Sequence, residues 1–333
     1  MSNLIKSIKI KNLFNEKQIH WELQKINVLV GKNGLGKSTI LRLINSAVTR
    51  KHCDALDLCE EIVLEFDNER KCVARKNNEI DPDFVKLFLK KVTSSSDFSK
   101  SIENSISKNP KSKNLSPNDL EKIKLEIFEK INETAVNFSK ETDINRNILR
   151  YDFEGSVKKM NVELISTINM SANSINDVTT SSGNKTTFLD LEIDNEIKRL
   201  NKNSKIKNSL QKKLVDSLNN LFEETNKKTS FIDDELKITL TSGRKIDYRS
   251  LSSGERQVIF IFLKIINGSV DKSLILMDEP EISLHLSWQE KLLTEITKVN
   301  SLSQIIIVTH SPAMVMNGWL DSFVDIKNIT KEL

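Results

Sequence analysis

Gly31-Lys32-Asn33-Gly34-Leu35-Gly36-Lys37-Ser38 is the stretch from which the rest of the chain is read. It matches G-x-x-x-x-G-K-[ST], and both flanks suit that pattern. Before it, Ile26-Asn27-Val28-Leu29-Val30 is a short apolar run that stops at a glycine, as a buried parallel strand would. After it, Ile40, Leu41, Leu43, Ile44, Ala47 and Val48 recur at helical spacing. Strand, glycine loop and helix together make a cradle for phosphate. Glycine lets the backbone wrap close to an anion, and the helix N-terminus adds a favourable dipole. The candidate contacts are Asn33, Gly34, Gly36, Lys37, Ser38 and Thr39. The pattern assigns Lys37 to the β- and γ-phosphates and the Ser38 hydroxyl to Mg2+.

Two further stretches stand far downstream. Leu274-Ile275-Leu276-Met277-Asp278-Glu279-Pro280 sets two carboxylates after four apolar residues. That places them at the C-terminal end of a strand, where α/β sheets hold their ligands. Asp278 is expected to hold the Mg2+ shell, and Glu279 to polarise an attacking water as general base. Leu251-Ser252-Ser253-Gly254-Glu255-Arg256-Gln257 precedes an apolar helix. Alone it reads as a helix cap; small residues at a helix start can also approach a phosphate closely.

Taken in order, the phosphate loop, L-S-S-G-E, the apolar-D-E-P run and Thr309-His310-Ser311 resemble the ABC-type ATPase heads of the SMC, RecF and OLD-like group. The resemblance covers the two ends of the chain. It implies an α/β P-loop head with a mixed or parallel central sheet, antiparallel N-terminal strands and a helical insertion. It also implies ATP and Mg2+ as ligands, ATP hydrolysis, and a second copy of the chain as partner in a head-to-tail dimer. Ser253 and Gly254 would then contact the γ-phosphate held by the other copy, and His310 would be the switch histidine. Glu281-Ile282-Ser283-Leu284-His285 would form the D-loop at the dimer seam. One departure is clear: no glutamine follows Glu163-Leu164-Ile165-Ser166-Thr167-Ile168, so the glutamine-loop residue is unassigned. Phe14 and Trp21 are candidates for the adenine or for the core.

The bulk composition bounds these readings. The chain has 333 residues, 38% hydrophobic and 29% charged, with a net charge of only +4. That balance fits a packed core and does not by itself indicate a nucleic-acid coat. Cys53, Cys59 and Cys72 match no zinc spacing and read as reduced thiols. Met1 to Lys6 lacks the apolar core of a signal peptide, and the apolar run Val258 to Leu263 is far below the ~20 residues that span a bilayer. A cytoplasmic protein without membrane contact of its own is expected.

Three regions are expected: 1–92 and 236–333 as the two parts of the head, and 93–235 as a mainly helical insertion. Within the insertion, 93–115 reads as a loose segment, and Ser116-Pro117-Asn118-Asp119 as a helix start. Leu189 to Phe222 is expected to be helical, its stripe Ile206, Leu210, Leu214, Leu218 and Leu221 burying against a neighbour. Ser287-Trp288-Gln289-Glu290 reads as a capping box. Lys198, Arg199, Lys202, Lys205, Lys207, Lys212 and Lys213 have no acid among them and are a candidate nucleic-acid contact or a solvated face.

By family resemblance the first expectation is a stand-alone regulatory ATPase of anti-phage defence, Septu-like, acting on a separately encoded nuclease or toxin. No appended nuclease domain is expected after His310. A RecF-like ATPase that clamps DNA and, less favoured, the ATP subunit of a membrane transporter stand as alternatives.

Overall fold

The computed structural model describes residues 4–76, 151–154, 160–166, 177–179, 185–270 and 272–333. The chain forms two compact units, one of Met1–Ala74 with Phe153–Leu333 and one of Arg75–Asp152. The first unit contains the phosphate loop, the signature turn and the acidic strand. The segments 93–115 and Ser116–Asp119 lie outside the described residues.

The chain opens with β1 (Ile5–Leu13), β2 (Lys17–Glu22) and β3 (Ile26–Val30), then α1 (Lys37–Thr49), β4 (Glu61–Phe66) and β5 (Lys71–Lys76). After β6 (Tyr151–Glu154) come β7 (Val162–Ser166), the short ribbon β8 (Asp177–Thr179) and β9 (Lys185–Thr187), α2 (Phe188–Asn201) and α3 (Lys207–Phe222). Next are β10 (Lys227–Ile232), β11 (Glu235–Leu240), β12 (Lys245–Asp247) and α4 (Ser253–Val270). The last part holds β13 (Leu274–Asp278), α5 (Leu286–Val299), β14 (Ile305–Thr309), α6 (Ala313–Met316), β15 (Phe323–Asp325), α7 (Ile326–Ile329) and β16 (Thr330–Glu332).

Two sheets organise the first unit. In one, β16, β2, β1 and β4 lie side by side, and each of these pairings is antiparallel. The other has the order β15-β3-β14-β13-β7 and is parallel throughout. β13 and β14 are buried at all ten of their residues, which explains why both read as unbroken apolar runs. The register Thr309↔Val30 and Asp278↔Val308 sets the C-terminal ends of β3, β14 and β13 in a row. The phosphate loop, the switch turn and the acidic pair therefore share one edge of the sheet.

The expected division at 92/93 and 235/236 does not coincide with the unit boundaries. α2 and α3 bury Leu189, Ile193, Leu200, Leu214, Leu218 and Phe222 in one core with Val258, Phe262 and Ile266 of α4. Those stripes close the head itself. The single helical run expected over 189–222 breaks at Lys202–Ile206. The hairpin of β10 and β11 crosses the expected boundary; its turn residues Asp233 and Asp234 have φ of 51° and 64°, the left-handed pair of a tight hairpin turn.

The expected capping box at Ser287–Glu290 is not formed. α5 starts two residues earlier, with His285 as an N-cap that makes no side-chain capping bond. The Ser287 hydroxyl instead donates to Glu224 at 2.5 Å. A reciprocal box does form at α4. Ser252 Oγ accepts from Glu255 N at 3.3 Å, and Ser252 N donates to Glu255 Oε2 at 3.0 Å.

Candidate nucleotide site

Gly36 caps α1 at φ 94°, a backbone state open to glycine. A Cβ there would also meet the Phe14 ring at 2.7 Å, so the loop bends tightly over that ring. Phe14 thus sits against the phosphate loop, whereas Trp21 is only 1% exposed and belongs to the core. Burial leaves no face of Trp21 for a ligand, which removes it as an adenine contact. Asn33 and Gly34 are exposed at the loop tip, and Thr39 is half-buried on the first turn of α1.

Lys37 is buried, and its Nζ donates to the carbonyls of Gly31 at 2.9 Å and Lys32 at 3.1 Å. Burial lowers its pKa; the negative charges of Glu279, Asp278 and Glu281 oppose that shift. Ser38 Oγ donates to Asp278 Oδ1 at 2.8 Å, joining loop and acidic strand. Burial raises the Asp278 pKa, the Ser38 hydrogen bond acts the other way, and the adjacent Glu279 adds to the rise. A hydroxyl and a carboxylate held together match the hard-oxygen donors that Mg2+ takes. Among the described residues no cluster of three or more His, Cys, Asp or Glu could hold a metal ion. Phosphate oxygens would have to complete such a shell.

Glu279 has φ 50°, and its backbone N donates to Val308 O at 2.8 Å. Its Oε1 lies 2.7 Å from His310 Nε2, which is also 3.0 Å from Lys37 Nζ. One ring nitrogen faces an acceptor and a donor. Protonated, Nε2 serves Glu279; bare, it accepts from Lys37. β7 pairs with β13 as its parallel neighbour, with Ser166 level with Asp278. Residues 167–176, next in the chain, lie outside the described ones, and with them the glutamine-loop position.

Ser253 is exposed at the start of α4, and Gly254 is buried beneath it. A Cβ at Gly254 would stand 2.6 Å from the carbonyl oxygen of Ser283. Only glycine admits that approach of signature turn to D-loop. Gln257 Nε2 donates to Ile282 O at 2.9 Å beside it. On the other side, Glu255 Oε1 meets Lys227 of β10 at 2.5 Å.

The sequence reading missed two features. One is the Lys227–Glu255 pair. The other is Glu281, which is 6% exposed and takes hydrogen bonds from the switch turn. Two residues of the basic cluster are ion-paired. Arg199 pairs with Glu163 at 2.6 Å and Glu196 at 3.5 Å, and Lys207 with Asp234 at 2.8 Å. Glu163 and Asp234 come from distant stretches, and Glu196 lies one turn before Arg199 on α2. Lys198, Lys202, Lys205, Lys212 and Lys213 are exposed.

The fold and this site together define a P-loop ATPase domain. The chain belongs to the AAA ATPase domain family, whose model matches residues 4–315. Over 100 residues it is 32% identical to the Septu protein PtuA of Bacillus thuringiensis; that match spans 26% of this chain and 25% of the relative. An SMC head solved bound to the C-winged helix domain of ScpA superposes with a TM-score of 0.53 at 11% identity, covering 94% of this chain and 92% of that one. The SMC head domain from Thermotoga maritima matches at a TM-score of 0.47 and 13% identity, over 99% of this chain and 98% of that one. No helix among the described residues is long and apolar enough to cross a membrane.

Proposed function

We propose that two copies of this chain close head-to-tail around two ATP molecules, hydrolyse them, and use the nucleotide state to regulate or scaffold a separate effector. The observation that supports this most is the 2.8 Å contact of Ser38 with Asp278, with Lys37, Glu279 and His310 on the same sheet edge. A phosphate loop, a hard-oxygen pair, a base and a switch imidazole are the parts a phosphoryl-transfer site uses.

In this reading the Lys37 ammonium lies along the β- and γ-phosphates. Ser38 and Asp278 would hold Mg2+, which when bound neutralises charge on the phosphate oxygens. Glu279 orients a water and takes its proton as the oxygen bonds to the γ-phosphorus; the bond to the β-phosphate oxygen breaks, and ADP and phosphate leave. His310 holds the Glu279 carboxylate in place. Ser253 and Gly254 of the other copy contact the γ-phosphate, so hydrolysis removes a bridge between subunits.

The similarity to a Septu protein, together with the resemblance to Septu-like ATPases, supports a role in anti-phage defence with a nuclease or toxin as effector. The test is the mass of Glu279→Gln with and without Mg-ATP. A dimer that forms with ATP and disperses without it is expected, and Lys37→Ala should remain monomeric. A Glu279→Gln protein that stays monomeric at saturating Mg-ATP would contradict the reading.

A further inference from the structure

We propose that Glu281 is a positioning residue for hydrolysis, holding the turn that carries His310. The proposal rests on the ATPase reading above and names a residue with no part in the chemistry itself.

An acidic residue in a loop after a strand is ordinarily solvated. Glu281 is 6% exposed, and one oxygen carries most of its contacts. Oε1 accepts from the Thr309 hydroxyl, from His310 N at 3.0 Å and from Ser311 N at 3.3 Å. Oε2 is buried with no partner among the described residues. A buried carboxylate is costly unless it is well paired, and here all of that pairing runs to one turn of three residues. The turn is also held by Thr309 pairing with Val30 in the sheet, by Ser311 N donating to Thr309 Oγ1 at 2.9 Å, by Ser311 Oγ donating to Gln289 at 2.7 Å and by Met314 N donating to Ser311 O at 3.4 Å; the carboxylate alone reaches all three of its residues.

The geometry gives the clamp a purpose. His310 Nε2 must lie within hydrogen-bond reach of Glu279 and of Lys37 at once. That demands a fixed backbone at residue 310, and Glu281 grips this backbone. Glu281 also opens the D-loop, whose next residues touch the signature helix through Gln257 and Gly254. The carboxylate therefore ties the switch turn of the chain to the loop beneath its signature turn.

The experiment compares Glu281→Ala, Glu281→Gln and Thr309→Val in the full chain. Steady-state kcat and KM are read beside affinity for a fluorescent ATP analogue and the melting temperature. Loss of the clamp should lower kcat on the order of a hundredfold in Glu281→Ala, since misplacing a catalytic group by about 1 Å has that effect. Affinity for the analogue should stay within about threefold, because nucleotide contacts are untouched. Glu281→Gln keeps an acceptor oxygen and should restore most of kcat. Thr309→Val removes one donor and should give an intermediate kcat; it decides the matter if Glu281→Ala does not fold. Parental kcat in Glu281→Ala, or in Thr309→Val where Glu281→Ala does not fold, overturns the proposal, as does a Gln variant as slow as the Ala variant. A parental chain that does not hydrolyse ATP would sink the ATPase reading instead, so the two failures are separate.

Discussion

Glu279 and His310 meet at 2.7 Å across the ends of two neighbouring parallel strands. Glu279 takes a φ of 50°, a backbone state that costs a non-glycine residue on the order of 1 kcal/mol or more and collects at functional sites. Glu279→Gln keeps the shape and removes the base. Turnover should fall roughly 10²- to 10⁴-fold, the usual contribution of a positioned base, with ATP affinity retained. His310→Ala should lower kcat less, since it removes the group that aligns the base. Single-turnover hydrolysis beside equilibrium binding checks both.

Gly254 offers a sharper geometric test. An added Cβ would lie 2.6 Å from a main-chain carbonyl, and backbone cannot yield as a flexible side chain can. Gly254→Ala should therefore destabilise the protein by about 1–3 kcal/mol, the range for overpacking a tight contact. It should also abolish any ATP-dependent dimer, while nucleotide binding through Lys37 persists. Denaturant melts and mass measurement with Mg-ATP read the two effects separately.

The parts of the site legible in the sequence are those whose signal is local. A glycine pattern between an apolar run and a helical stripe marked Lys37 and Ser38, and four apolar residues before Asp278 marked a buried strand. The contact between Ser38 and Asp278 spans 240 residues, so only the order of motifs pointed to it. Glu281 was placed in the D-loop without a role, because sequence does not show which acid is buried. The β10–β11 hairpin was hidden by its three lysines and Glu235; Asp233-Asp234 was its one turn signal. Arg199 and Lys207 looked unpaired because Glu163 and Asp234 are remote in the chain.

Lys227 and Glu255 make a pH-dependent prediction. Burial pushes the Glu255 pKa up, but the Lys227 ammonium and the Ser252 bonds outweigh it, and the net shift is downward from 4.5. A lowered carboxylate pKa stabilises the fold above 4.5, and that contribution disappears as pH falls through the lower folded value. Lys227→Met leaves the buried carboxylate without its cation, at a cost of about 3–5 kcal/mol where both groups are charged. The deficit should be full near neutral pH and should shrink as pH drops below 4.5. Urea melts of both proteins over that range check the sign, and a deficit that grows toward acid would contradict it.

Leu218 tests whether α3 belongs to the head. Were 93–235 an arm apart from the head, truncating one apolar residue in it would leave the nucleotide site and the main unfolding transition intact. Leu218 is fully buried, however, in a core shared with Val258, Phe262 and Ile266 of the signature helix. Leu218→Ala removes three carbons there, and large-to-small changes at such sites cost about 2–5 kcal/mol, depending on how far the cavity collapses. Because the same core supports α4, the loss should appear in one cooperative transition that Mg-ATP shifts upward in parent and variant alike. The exposed residue Lys212 on the same helix is the control, and Lys212→Ala should stay within about 0.5 kcal/mol of the parent. A separate, early transition for Leu218→Ala, with the ATP-sensitive one unmoved, would make α3 an arm independent of the head.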